Sequence, residues 1–180
     1  MVKIINFLTI SRIIIGPIIF MILISNDNNY LAFILFMIAG LTDYADGYLA
    51  RKYNATSQIG EILDPIADKI LIVFMLFGLS ITIQSYILAF SSCLIISREI
   101  WVTALRDLNS RNNNIEASKV TFLAKIKTAF QMFTISIYLI AISFQNMLLI
   151  IIGDILIIVS VLVTLYTGYE YTLNSLKKTK

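Results

Sequence analysis

Histidine is absent from the 180-residue chain, and cysteine occurs once, as Cys93. Without histidine there is no His-ligated metal site, no Ser-His hydrolase machinery and no imidazole acid–base catalysis. A single cysteine excludes an intrachain disulfide, and its place in the apolar run from Ala89 to Ile96 is that of a small buried hydrophobe. Charge is scarce as well. Charged residues make up 14% of the chain, against roughly a quarter in soluble domains. The apolar share is 58% and the mean hydropathy is +0.85. So few charges cannot keep so much apolar surface in water, which places the chain in a membrane. Any chemistry then falls to Asp, Glu, Lys, Arg, Tyr or metal-bound groups.

A helix needs about 20 apolar residues to cross the hydrocarbon core. Six such stretches are present, which predicts an all-α integral membrane protein forming one domain over residues 1–180. The first span covers about Ile13 to Ser25, after an amphipathic lead-in from Val2 to Arg12, with Pro17 as a possible kink. The others run from about Tyr30 toward Arg51, Ile62 to Ile83, Ser85 to Leu108, Val120 to Phe144 and Met147 to Tyr171. With six spans, all fourteen basic residues fall at one membrane side or in the half-helix nearest it. The positive-inside rule makes that side cytoplasmic, with both termini there. The net charge of +3 is then a matter of topology and implies no nucleic-acid partner. No small-residue cleavage site follows Ser25, so the N-terminus does not read as a signal peptide.

Ionisable groups inside membrane segments are costly and mark function. Asp43 and Asp46 lie three apart at the inner end of the second span, and Asp64 and Asp68 lie four apart at the start of the third. Those spacings put each pair on one helix face. The short connection after Ala50 makes the two helices antiparallel neighbours, so the pairs can face each other. Four converging carboxylates cannot all be ionised and unpaired. Arg51 and Lys69 together neutralise too few of them. Oxygen-only donors suit a hard ion such as Mg²⁺ or Mn²⁺, and four carboxylates can hold two ions gripping a phosphoryl group. Gly47 and Ala50 leave room for a bulky ligand, although small residues also serve helix packing. Arg51 can fork onto phosphate oxygens.

The run Asp43-Tyr44-Ala45-Asp46-Gly47-Tyr48-Leu49-Ala50-Arg51, then eight residues, Gly60, three residues, Asp64, three residues and Asp68 resembles the complete motif of the CDP-alcohol phosphotransferase family. Eight positions are fixed over 26 residues. The resemblance implies six transmembrane helices, a homodimer, and two divalent ions held by Asp43, Asp46, Asp64 and Asp68. It implies cleavage of a CDP-linked substrate, transfer of its phosphoryl-alcohol part to an acceptor hydroxyl, and release of CMP.

Within the family, Asn6 to Arg12 followed by Pro17, Leu63 to Lys69, Ser97 to Ile100, Ala104 to Arg106, and Lys125 to Thr128 with Gln131 resemble the bacterial phosphatidylglycerophosphate synthase branch. Ala124 stands where that branch often has Gly. This branch implies a multi-pass enzyme of the bacterial inner membrane. Its substrates would be CDP-diacylglycerol and sn-glycerol 3-phosphate, with membrane lipids around it. By the same resemblance Asp68 accepts the proton of the attacking hydroxyl, while Thr42, Gly47, Ala50, Arg51 and Gly60 frame the CDP moiety.

Glycerol 3-phosphate brings charge of its own, so a basic pocket is expected. Arg98, deep in the fourth span, needs an anionic partner. Glu99 projects about 100° away from it on a helix, whereas Arg106 returns to the same face. Arg98, Arg106, Lys125 and Lys127 are the expected acceptor-phosphate ligands. Arg111 and Lys119 read as anchors near anionic headgroups, and Asp154 as an interfacial or helix-start residue. Two alternatives remain at this stage. One is the same family with another acceptor: phosphatidylglycerol (a cardiolipin synthase), serine or inositol phosphate. The other is a cation transporter, which explains the aspartates but not Arg51 and Arg98.

Overall fold

The computed structural model describes residues 2–25, 28–53, 58–111 and 122–177. Among them are six α-helices and no strand: α1 (Val2–Ser25), α2 (Asn29–Tyr53), α3 (Gln58–Ile83), α4 (Tyr86–Arg111), α5 (Phe122–Ser143) and α6 (Met147–Lys177). Five contain stretches long and apolar enough to cross a membrane, and α2 adds a shorter one over Asn29–Asp43.

Polar caps set where these helices begin. The Asn28 side chain accepts from the Leu31 amide at 3.0 Å, Ser85 Oγ from the Leu88 amide at 3.2 Å, and the Asn146 side chain from the Leu148 amide at 3.0 Å. Each satisfies a helix-start donor that lipid could not. The turns that end α3 and α5 pass through Gln84 (φ 55°) and Gln145 (φ 51°), left-handed residues of the kind that close a helix.

Helix α1 packs mainly on α3 and α2, and α6 on α5 and α4, while α3 also meets α4 and α5 and α2 meets α5. The apolar core runs through Ile19, Leu23, Phe36, Met75, Leu79 and Ile135. Large apolar side chains such as Ile14, Met21, Phe133 and Leu162 face outward, as lipid contact demands. Close helix approach needs small residues. A methyl on Gly153 would stand 2.7 Å from the Tyr138 ring, so α5 and α6 meet there through a glycine. Tyr138 Oη donates to Asp154 at 2.7 Å. Asp154 is therefore an inter-helix acceptor, and it lies beyond the first turn of α6, which rules out a helix-start role.

The lead-in and the first span run as one helix, α1, through Pro17. Two further expectations are corrected. Cys93 is exposed on the outer, apolar surface of α4, not buried. Helix α6 continues past Tyr171 to Lys177, because its polar last turns pack on α4.

Candidate active site

Three of the four aspartates meet, and an arginine stands among them. Arg12 in α1 is fully buried, and its Nη1 bonds both Asp43 Oδ1 of α2 and Asp68 Oδ1 of α3, the latter at 2.7 Å. Nη2 lies 3.6 Å from Asp64 Oδ1. Thr9, one turn before Arg12, donates to Asp64 Oδ1 at 2.8 Å. The expected convergence of α2 and α3 is thus present. The cation at its centre was not foreseen, since only Arg51 and Lys69 were weighed as partners. Lys69 instead reaches Thr103 of α4, because the residue after Asp68 points about 100° around α3.

The side chains of Asp46, Ala50, Arg51 and Lys125, and all of Lys119, fall outside the described residues. Among the described residues no three acidic side chains already form an ion cage. The donor set is nevertheless all oxygen, and the aspartate side chains keep 36–46% exposure, so they are open to an arriving ion. That chemistry fits a hard divalent cation. Of the residues expected to frame a nucleotide, Thr42 is half-buried and bonds the Ala39 carbonyl at 2.8 Å. Gly47 is also half-buried, and Gly60 is buried on α3.

Beside this cluster a cavity of about 1040 Å³ opens between α3, α4 and α5. Asp68, Lys69, Arg98, Glu99, Arg106 and Lys127 line it. Three of the four expected acceptor ligands therefore share one space, and Asp68 belongs both to it and to the acid cluster. Arg98 does find an anion, and it is Glu99: Nη1 to Oε1 is 3.0 Å. The two residues diverge at the backbone, but long side chains fold back toward one another. Lys127, also buried, bonds the same Glu99 oxygen. Sequence reasoning passed over Glu99 as a site residue.

Helix α6 holds the arginines from behind. Arg98 Nη2 donates to Thr167 Oγ1 at 2.7 Å, and Arg106 Nη2 donates to Tyr171 Oη at 3.0 Å. The Arg106 guanidinium also lies 5.1 Å from the Tyr171 ring centre, within cation–π range. A methyl on Gly168 would fall 2.9 Å from Arg98 Cγ, so this glycine makes room for the arginine stem. Trp101 to Thr172 and Asn109 to Ser175 continue the contact between α4 and α6.

The CDP-alcohol phosphatidyltransferase profile matches residues 2–166, a segment that contains both the acid cluster and the cationic cavity. The chain belongs to this family. Relatives of the same length class agree. A Rickettsia felis protein is 35% identical over 170 residues, covering 92% of this chain and 91% of the relative. A protein of Wigglesworthia glossinidia brevipalpis is 39% identical over 131 residues, 71% of each chain. One of Escherichia coli K12 is 31% identical over 129 residues, 69% of this chain and 70% of the relative. All three carry the name CDP-diacylglycerol–glycerol-3-phosphate 3-phosphatidyltransferase. Family membership and the apolar helices together make this a multi-pass, all-α membrane protein.

Proposed function

We propose that this CDP-alcohol phosphatidyltransferase transfers the phosphatidyl group of CDP-diacylglycerol to sn-glycerol 3-phosphate, yielding phosphatidylglycerophosphate and CMP. The observation that carries the reading is the double membership of Asp68. Its carboxylate touches the acid cluster and also lines the cavity that holds Arg98, Arg106 and Lys127. A donor pyrophosphate at the cluster and an acceptor phosphate on those cations would leave the acceptor hydroxyl facing Asp68. The relatives' shared name supports the same pair of substrates.

In this mechanism Asp43, Asp46, Asp64 and Asp68 would hold the divalent ions, Mg²⁺ or Mn²⁺, two of them by the family resemblance. When bound, such ions neutralise pyrophosphate oxygens and ease the departure of CMP. The protein's own groups do the rest. Thr42, Gly47, Ala50, Arg51 and Gly60 frame the CDP moiety. Arg98, Arg106, Lys125 and Lys127 seat the acceptor phosphate, fixing the distance of its hydroxyl from the donor phosphorus. Asp68 accepts the hydroxyl proton as the new ester bond forms. The acid cluster and the cations lie at one end of the bundle, which the positive-inside rule assigns to the cytoplasmic face of the bacterial inner membrane. The cation-transporter alternative gains no support, because a buried arginine stands at the centre of the acid cluster.

The test uses purified protein with CDP-diacylglycerol, Mg²⁺ or Mn²⁺, and a panel of acceptors, reading CMP release. The expected outcome is metal-dependent CMP release with glycerol 3-phosphate. Release with phosphatidylglycerol, serine or inositol phosphate but not glycerol 3-phosphate rejects the acceptor. No release with any acceptor rejects the reaction.

A further inference from the structure

We infer that Lys69 is a further ligand of the acceptor phosphate, contributed by α3 from the position next to Asp68. The inference rests on the proposed use of the cavity for a phosphate-bearing acceptor and adds a third helix to the walls that grip it. The four ligands expected from the sequence, Arg98, Arg106, Lys125 and Lys127, all stand on α4 and α5. Lys69 lines the same cavity as Arg98, Arg106 and Lys127. It is half-buried, and its ammonium reaches Thr103 of α4, another residue of the cavity wall.

The partners of these cations differ in kind. Glu99 binds Arg98 and Lys127 through one oxygen, so a carboxylate already meets part of their charge. The bond shown for Lys69 is to a neutral hydroxyl, which takes one of the ammonium's three donors. A phosphate oxygen is a much stronger acceptor for an ammonium than a hydroxyl is. Thr103 loses little by the exchange, because its own hydroxyl donates to the Glu99 carbonyl at 2.7 Å. Charge points the same way. Among the described residues, Lys69, Arg98, Arg106 and Lys127 line the cavity against Asp68, Glu99 and Asp107, a surplus of one positive charge with every carboxylate counted. Without Lys69 that surplus is gone. A phosphate monoester is dianionic near pH 8 and depends on it.

Binding of glycerol 3-phosphate to the purified protein, in detergent with Mg²⁺ at pH 8, is measured by calorimetry. Lys69→Met should weaken it about tenfold or more, whereas Lys69→Arg, which keeps the charge, should stay within about threefold of wild type. Thr103→Val separates a ligand from a strut. It breaks the same bond between α3 and α4 but leaves the ammonium, and should stay within about twofold of wild type. The KM for CDP-diacylglycerol in Lys69→Met should change by less than about twofold. The calorimetric stoichiometry gives the folded fraction of each variant, so partial unfolding does not pass for lost affinity. Unchanged affinity in Lys69→Met overturns the inference, as does an equal loss in Thr103→Val, because the link between helices would then be the cause. A loss in Lys69→Arg as large as in Lys69→Met overturns it too, as does a raised KM for the donor with acceptor affinity kept. No binding by the wild type also overturns it. CMP release with glycerol 3-phosphate is followed on the same wild-type preparation. Its absence rejects the proposed reaction, whereas the affinity comparison still reports on Lys69.

Discussion

Arg12 decides how the acid cluster exists before any ligand arrives. Its guanidinium is fully buried and engages Asp43 and Asp68 directly, with Asp64 at 3.6 Å. Removing one partner of a buried ion pair is strongly destabilising, but these aspartates keep 36–46% exposure, so water and salt reduce the loss. Arg12→Leu should lower stability in metal-free detergent by about 2 kcal/mol, read as a lower Tm. Added Mn²⁺ should restore more stability to the variant than it adds to wild type, since it replaces the missing positive charge. A variant melting with wild type in metal-free buffer would show that the carboxylates need no internal cation. Asp68→Asn tests the other role at this point. It should cut CMP release by about 10²-fold or more, as loss of a general base does, while the protein stays folded. Retained turnover would remove Asp68 as the base. The aspartates were legible because their spacing alone puts them on facing helix faces. Arg12 was equally open to detection, since the rule that singles out Arg98 as a charge in an apolar helix applies to it unchanged. Its role was obscured because α1 was divided at that residue into lead-in and span. Glu99 was hidden by the opposite error, in which backbone direction was taken to fix where a long side chain ends.

The starts of α2, α4 and α6 are fixed by Asn28, Ser85 and Asn146, whose side chains cap them. The far end of α6 was not readable, because its last turns are polar and fold on α4 through pairs distant in sequence. Those turns position the cationic pocket: Thr167 and Tyr171 hold Arg98 and Arg106. Gly168 is the closest point of approach, where a β-carbon would lie 2.9 Å from Arg98 Cγ and 3.0 Å from its Nε. Gly168→Ala should push Arg98 toward the cavity and out of register with Thr167. The expected result is a rise of about tenfold in KM for glycerol 3-phosphate, equivalent to about 1.4 kcal/mol, with kcat and the KM for CDP-diacylglycerol little changed. That pattern marks lost acceptor binding and not lost chemistry. An unchanged KM would mean the arginine stem yields freely, and α6 would then be a passive neighbour of the site.

Across the whole molecule, the described contacts bring opposite ends of successive helices to one level. Arg12 joins the first half of α1 to the second half of α2 and the first half of α3, and Lys127 joins the start of α5 to Glu99 in α4. Arg98 then ties α4 to the second half of α6. All of this chemistry is gathered at one end of the bundle, and the opposite end carries the Gln84 and Gln145 turns. Helix α6 has 31 residues, about 46 Å at 1.5 Å per residue, against a hydrocarbon core of about 30 Å. Its last turns therefore stand in water on the side where the cations lie. Orientation is testable after Cys93→Ser removes the one native thiol. A charged, impermeant maleimide should label Lys177→Cys in inside-out vesicles and not in intact spheroplasts. Gln145→Cys should show the reverse. Labelling of both positions from one side would break the even number of crossings. An exchange of the two sides would place the acid cluster and its cavity away from the cytoplasm, where CDP-activated lipid and a soluble phosphorylated acceptor could not meet.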